Sequence, residues 1–193
     1  MHRVQLSSFA VAAALAVTCA PLPPTPPRSG AAVATPDITI GLPTDPALQA
    51  AIRDISAERI RATDSVLVSF GTRHTMSDTT SDIRGIGAAR RYLFAKLRGY
   101  SEACAGCLRV EYDPAMMEIR GHPQRPLVNI VNVLAWLPGR DTSRVLVMGG
   151  HYDSCVCART DLGPLARFEA TQDAPGADDD ASGTSAVVEL ARV

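Results

Sequence analysis

The chain has 193 residues, of which 46% are hydrophobic and 20% are charged, and its formal net charge is −1 at pH 7. This composition is typical of a soluble globular domain. The near-zero net charge gives no reason to expect nucleic acid or an anionic surface as a partner. Aromatic residues make up only 5% of the chain, so no platform for stacking nucleic-acid bases is indicated either.

The N-terminus predicts export. Phe9 to Val17 (FAVAAALAV) is an apolar run that is too short to span a bilayer as a helix but typical of a signal-peptide core. We assign residues 1–20 to a signal peptide and expect a periplasmic or extracellular protein with no transmembrane span once the signal is removed. Cys19 is a candidate lipid anchor of a membrane-anchored lipoprotein, although Leu15 lies one position too early for the usual Leu-x-x-Cys spacing.

A proline-rich segment follows this leader. Residues 21–27 (PLPPTPP) carry five prolines, which argues against a buried N-terminal helix. We expect residues 21–44 to form an extended, unpacked linker. The remaining residues, 45–193, are enough for one domain with a real hydrophobic core.

Two helices are predicted before the first strand. Asp45 and Pro46 form a good helix start, with Asp as N-cap and Pro at the first helical position, and the helical character continues to about Phe70. The second helix is predicted from about Ile83 to Arg98, with Gly99 as its C-terminal stop. Its buried face is expected to consist of Ile86, Ala89, Leu93 and Leu97.

Four segments predict strands. Residues 108–112 and 116–119 are short candidates, whereas residues 127–137 and 144–148 are the strongest because they are rich in β-branched residues. The sequence PGRD at 138–141 separates these two strong candidates as a turn should. Because residues 144–148 are nearly all apolar, we expect a strand that is covered on both faces.

A last helix is predicted to begin at Ala181, with Ala186, Leu190 and Val193 on one face. The helical pattern reaches Val193 without a capping Gly or Pro, so we expect the protein to continue beyond this residue. Helices on both sides of buried strands predict a three-layer α/β domain.

Residues 149–154 (GGHYDS) directly follow the predicted buried strand. In open α/β sheets, ligands bind beyond the C-terminal ends of the strands, so this segment is well placed for a site. Residues two apart in a strand point the same way. Asp153 could therefore hydrogen-bond one ring nitrogen of His151 and hold the other nitrogen toward a metal ion.

Residues 174–183 (APGADDDASG) directly precede the predicted last helix. The three consecutive carboxylates at 178–180 would repel each other and raise each other's pKa in a partly buried turn, and a divalent cation would remove that cost. A solvated acidic turn at the helix N-terminus is the alternative interpretation. A calcium loop fits poorly, because such loops space their ligands at alternate positions with a Gly at the sixth.

Taken together and in this order, GGHYDS and APGADDDASG resemble the co-catalytic zinc exopeptidases of peptidase family M28. That family includes secreted aminopeptidases and the glutamate carboxypeptidase II group. Looser similarity extends through residues 127–148 and through FGTRHT at 70–75. The resemblance implies a three-layer α/β/α fold with a mostly parallel mixed sheet. Residues 45–193 would then be the N-terminal part of that domain, incomplete at its C-terminus.

The resemblance also implies roles for individual residues. His151 would be a terminal ligand of one zinc ion, and Asp179 would bridge two zinc ions. Asp153 would orient His151, and the peptide between Asp179 and Asp180 would be cis. The substrate would be a peptide or an aminoacyl compound, hydrolysed at its N-terminal bond by a water molecule activated between the two metals.

The family's next elements are a Glu-Glu pair, whose first Glu is the general base, then a later Asp and a later His. No Glu-Glu pair occurs in these 193 residues, so we expect the missing groups beyond Val193 and no hydrolysis by this chain alone. An aminopeptidase is the leading prediction. A glutaminyl-cyclase-like or carboxypeptidase-type relative and a non-catalytic binding homologue are the alternatives.

Four cysteines form two close pairs, Cys104 with Cys107 and Cys155 with Cys157. In an exported protein, disulfides are expected rather than a zinc site, and three pairings are possible. His74 lies in the polar loop after the first predicted helix. We interpret it as a structural residue, with a place on the substrate-side surface as the alternative.

Overall fold

The computed structural model describes residues 45–157, 161, 163 and 165–193, which belong to one unit, Pro43–Val193. The predicted signal peptide, the predicted linker and Cys19 lie outside the described residues. Among the described residues, no helix combines the length and the apolar character needed to cross a membrane.

The described chain is a mixed α/β structure, as predicted at this coarse level. Its regular elements are α1 (Pro46–Asp54), α2 (Ala57–Ser69), α3 (Gly85–Ala103), β1 (Arg109–Glu118), β2 (Leu127–Trp136) and α4 (Gly183–Arg192). The two strands pair in an antiparallel ladder, with Arg109 opposite Trp136 and Glu118 opposite Leu127. This two-stranded sheet is the only one in the described ranges, so the three-layer fold and the mostly parallel sheet stay predictions.

The first predicted helix is in fact two helices. Asp45 caps α1 as expected, because its Oδ1 accepts a hydrogen bond from the Ala47 amide at 2.8 Å. The chain then becomes extended at Ile55 and Ser56, and the Ser56 hydroxyl caps α2 by accepting from the Arg59 amide at 3.3 Å. A serine that can bond the backbone in a non-helical conformation favours such a break over an uninterrupted helix.

Helix α3 buries the predicted face but ends later than predicted. Gly99 lies inside the helix in open space, and the helix ends where Ala105 and Gly106 adopt left-handed conformations with φ of 55° and 86°. The Gly106 amide donates to the Ser101 carbonyl at 2.7 Å, which satisfies the helix terminus. The prediction of Gly99 as the stop was wrong because a glycine on an exposed helix face costs only about 1 kcal/mol.

The two short strand candidates merge into the single strand β1. Pro114 lies in the middle of this strand, opposite Val131 of β2. Proline cannot donate to a ladder, and it is tolerated here because β1 is an edge strand. The prediction for β2 is confirmed to within one residue at its end.

The prediction of a covered strand at 144–148 is wrong for the described structure. These residues form no ladder with another described strand, and Val145, Leu146 and Val147 are 70%, 88% and 81% exposed. An apolar, β-branched run becomes a strand only when neighbouring strands pair its backbone. Neither β1 nor β2 supplies that pairing.

The hydrophobic core joins α2 and α3 to the start of α4. It consists of Leu67, Phe70, Ala88, Ala89, Leu93, Ala181 and Val188. Helix α4 is rotated relative to the prediction, since Thr184, Ser185, Val188 and Glu189 are buried whereas Leu190 and Val193 are exposed. Val188 of this face packs in the core with residues of α2 and α3, so contacts with these helices decide which side of α4 is buried.

Candidate metal centre

The structure brings the two predicted motifs together. The His151 amide donates to the Asp180 carboxylate at 3.0 Å, which joins the GGHYDS segment to the acidic turn before α4. Glycines allow this close approach. A Cβ at Gly150 would lie 2.7 Å from the Thr184 amide nitrogen, and one at Gly183 would lie 2.1 Å from an Asp180 oxygen.

The His151 ring lies between two carboxylates. Its Nδ1 is 3.2 Å from Oδ1 of Asp153, and its Nε2 is 3.0 Å from Oδ1 of Asp179. All three side chains are more than a third exposed to solvent. The three predicted site residues are therefore neighbours, and His151 lies between Asp153 and Asp179 as their expected roles require.

The surroundings of His151 favour positive charge. Burial lowers the pKa of His151, but the Asp153 carbonyl and the carboxylates of Asp153, Asp180 and Asp179 together raise the pKa above its ordinary value. A position that stabilises a proton on the ring also stabilises a metal cation near it.

The donor atoms fit part of a zinc site. An imidazole nitrogen and a carboxylate oxygen are ordinary zinc ligands, but a catalytic zinc takes three protein ligands. In the described ranges, no group of three or more His, Cys, Asp or Glu residues is arranged to hold a metal ion. As metal ligands, His151 and Asp179 would thus fill only two of the positions that a complete site needs. The peptide between Asp179 and Asp180 is cis, as the family resemblance implies.

Sequence reasoning missed Thr75 as a residue of this site. The Thr75 hydroxyl donates to Oδ2 of Asp153 at 2.8 Å, on the carboxylate oxygen that does not face His151. The segment FGTRHT had drawn attention only through its similarity to the family. Its contact with Asp153 spans 78 positions of the sequence, so no local pattern could have indicated it.

His74 from the same segment is structural, which confirms the preferred interpretation. It is buried, and its Nδ1 accepts a hydrogen bond from the Met76 amide at 3.0 Å. The proton therefore resides on Nε2, which donates to the Arg167 carbonyl at 2.9 Å. Both ring nitrogens are occupied by backbone groups, so neither is free for a metal or a substrate.

An open cavity of about 520 Å³ adjoins the site. It is lined by the GGHYD segment, Thr75, Asp180, Arg90 of α3 and residues 129–132 of β2. Tyr152 connects the site to the sheet, because its hydroxyl donates to the Val131 carbonyl. Burial raises the pKa of Tyr152, so its hydroxyl stays protonated and able to donate.

The cysteines form two disulfides between near neighbours, Cys104 with Cys107 and Cys155 with Cys157. Of the three possible pairings, this one joins the cysteines that are nearest in sequence. The second disulfide begins at Cys155, two residues after Asp153 in sequence.

Comparison with known families adds the decisive observation. The family model described as "Peptidase family M28" matches residues 132–193, which include both motifs and the acidic turn. This segment belongs to peptidase family M28. The membership agrees with the two motifs and with the contacts of His151.

Relatives of this chain carry the name "Probable zinc metalloprotease". One from Pyrenophora teres f. teres is 46% identical over 152 residues, which cover 78% of this chain and 30% of the relative. A second, from Pyrenophora tritici-repentis, is 47% identical over 152 residues with the same coverage of both chains. A third, from Pyricularia oryzae, is 45% identical over 150 residues, covering 77% of this chain and 28% of the relative. The chain thus spans less than a third of the length of these curated relatives.

Proposed function

We propose that the complete protein is a zinc-dependent exopeptidase that acts as an aminopeptidase on peptide or aminoacyl substrates. The observation that carries the proposal is the placement of the His151 ring between the carboxylates of Asp153 and Asp179. Membership of M28 and the printed names of the relatives support zinc as the metal and a peptide as the substrate.

His151 and Asp179 are the proposed metal-binding residues. His151 would bind one of two zinc ions through Nε2, and Asp179 would bridge both ions. When bound, zinc supplies a Lewis acid for the scissile carbonyl and lowers the pKa of a water molecule. With the metal bound, Asp153 would accept the Nδ1 proton of His151, which would leave the Nε2 lone pair for the zinc ion. Thr75 holds the other oxygen of Asp153.

The remaining groups are proposed to come from the protein beyond Val193. The described residues offer one terminal ligand and one bridging ligand, which is fewer than a catalytic zinc requires. A Glu-Glu pair, an Asp and a His would complete the site, with the first Glu as general base. The relatives are long enough to contain such residues, because this chain spans only 28–30% of them. The 193-residue chain alone would be inactive.

The proposal extends to the fold. In the complete protein, residues 144–148 would form an inner strand of a mostly parallel sheet between two helical layers. The exposure of Val145, Leu146, Val147 and Met148 supports this proposal. Exposing four consecutive apolar side chains to water costs free energy in proportion to their exposed area, and a covering strand or helix would remove that cost. Hydrogen exchange should show protected amides at 144–148 in the complete protein, and fast exchange there would contradict the proposed strand.

Export is the second part of the proposal. Residues 1–20 would be removed, and the mature protein would be periplasmic or extracellular. The two disulfides are consistent with an oxidising compartment. N-terminal sequencing of secreted protein should find a start after residue 20, whereas a lipid on a retained Cys19 would indicate the membrane-anchored alternative. An intact Met1 in the cytosolic fraction would contradict export.

Substrate choice tests the assignment as an aminopeptidase. The zinc-loaded complete protein should release the reporter from an aminoacyl substrate with a free amine, but not from its N-acetylated counterpart. Cleavage of an N-blocked peptide at its free carboxyl end, or cyclisation of an N-terminal glutaminyl peptide, would instead favour the alternative enzyme types. Zinc binding without turnover of any of these substrates would indicate a non-catalytic homologue.

A further inference from the structure

Arg73 is buried in the part of the chain that carries the candidate site. Its side chain is 0% exposed, although arginine is almost never fully buried unless its charge is compensated. Burial lowers the pKa of Arg73, while the Asp64 and Asp153 carboxylates oppose that effect, and a guanidinium remains protonated in proteins. The site chemistry described above assigns no role to this cation.

The Arg73 guanidinium donates to the backbone of both motifs. Its Nε donates to the carbonyl of Tyr152 at 2.7 Å, and Tyr152 lies between His151 and Asp153. Its Nη1 and Nη2 donate to the carbonyls of Pro175 and Gly176, at the start of the acidic turn. A further bond from Nη1 reaches the Leu67 carbonyl in α2 at 3.0 Å.

The backbone of Arg73 reinforces the same connection. Its amide donates to the Ser154 hydroxyl at 2.9 Å, and the Ser154 amide donates back to the Arg73 carbonyl at 3.2 Å. The Ser154 hydroxyl in turn donates to the Ala174 carbonyl at 2.6 Å. These bonds join three chain segments that are far apart in sequence.

From this geometry we propose that Arg73 is a positioning residue that sets the separation of His151 and Asp179 and thereby the affinity of the site for zinc. The inference rests on the proposed function. Arg73 is too buried to touch a substrate, and its donors are directed at backbone carbonyls. The planar fork of a guanidinium fixes several acceptors at defined angles, so both motifs are held relative to α2. The 3.0 Å contact between His151 and Asp179 would depend on this support.

The test substitutes Arg73→Lys in the complete protein. Lysine keeps the positive charge but lacks the fork, so it cannot reach all the carbonyls at once. Arg91→Lys is the matched control, because Arg91 also donates to loop carbonyls, those of Thr79, Thr80 and Ser81, away from the candidate site. Zinc affinity is measured by competition with a chromophoric chelator, at a temperature at which each metal-free variant is folded by circular dichroism.

We expect Arg73→Lys to weaken zinc binding by about tenfold or more, and saturating zinc to restore most of its turnover. Arg91→Lys should bind zinc like the wild type. Equal zinc affinity of Arg73→Lys and the wild type would overturn the proposal. If the wild type itself binds no zinc, the proposed function fails and the inference fails with it.

A second variant covers the case in which Arg73→Lys does not fold. Ser154→Ala removes the hydroxyl that connects Arg73 to Ala174, and the side chain becomes smaller by only one oxygen atom. It should lower zinc affinity measurably, though less than Arg73→Lys. Wild-type zinc affinity in a folded Ser154→Ala variant would then overturn the proposal.

Discussion

Thr75 has a predictable effect at the scale of single residues. Its hydroxyl holds the oxygen of Asp153 that faces away from His151, so Asp153 is fixed from both sides. Thr75→Val keeps the shape and removes this bond. Because Thr75 contacts the proposed zinc ligand His151 only through Asp153, we expect zinc affinity to fall by about threefold to tenfold. This is at or below the lower end of the range for residues that contact a ligand directly.

Two variants make the result for Thr75 specific. Thr75→Ser keeps the hydroxyl and should restore zinc affinity. Thr80→Val removes a similar threonine–aspartate bond, that between Thr80 and Asp78, away from the site. Zinc titration compares the three variants. A loss of affinity equal in Thr75→Val and Thr80→Val would contradict the role of Thr75.

Glu189 stabilises the junction between α4 and the break that separates α1 from α2. The buried Glu189 carboxylate accepts from the Arg192 guanidinium and from the Ser56 amide at 3.0 Å. These hydrogen bonds, that of Arg192 first, lower the pKa of Glu189 despite the opposing effect of burial. The stabilisation is therefore fully present above the unfolded-state pKa of about 4.3 and is lost as the pH falls through the lowered pKa.

Glu189→Gln tests this junction. At pH 7 the variant should lose about 2 kcal/mol of unfolding free energy, because a charged acceptor of several hydrogen bonds is replaced by a neutral one. Its stability should also depend less on pH below about 4.3 than that of the wild type. Urea unfolding at pH 7 and under acidic conditions measures both effects. Glu102→Gln on α3 is the control, and equal changes in the two variants would contradict the account.

Two glycines of α3 predict opposite effects of the same substitution. A Cβ at Gly99 would meet nothing within 4 Å, so Gly99→Ala should stabilise the protein by about 0.5–1 kcal/mol. A Cβ at Gly87 would lie 2.2 Å from the Thr79 carbonyl oxygen, so Gly87→Ala should destabilise it. The urea midpoints of the two variants measure these changes in stability. A change of the same sign in both variants would contradict the described packing of α3.

Local patterns predicted the elements that local forces determine. The Asp45 cap, the buried face of α3 and the strand β2 follow from neighbouring residues, and the structure agrees with all three. The prediction of a strand at residues 144–148 was wrong because strand formation depends on partners that are remote in sequence. The predicted face of α4 was wrong for a related reason, since Val188 is buried by residues of α2 and α3 that are remote in sequence.

At the scale of the whole molecule, the same distinction applies to the site. The approach of Asp153 to His151 was predictable because the two residues are two positions apart. The approach of Asp179 to His151 was implied only by the family resemblance. The contacts of Arg73 with Tyr152 and Gly176 span 79 and 103 positions, and their acceptors are carbonyls that every residue carries. Nothing in the side-chain pattern could therefore mark Arg73 as the support of the site.

The central claim is that His151 and Asp179 bind zinc, with Asp179 as a bridge between two ions. Zinc content per chain of the purified complete protein, measured by atomic emission after dialysis against metal-free buffer, tests it most directly. The account predicts two zinc ions in the wild type and no more than one in Asp179→Ala, because loss of the bridge removes negative charge from between two cations. Asp153→Asn keeps both proposed ligands and should retain more zinc than Asp179→Ala or His151→Ala. Two zinc ions per chain in Asp179→Ala would contradict the account.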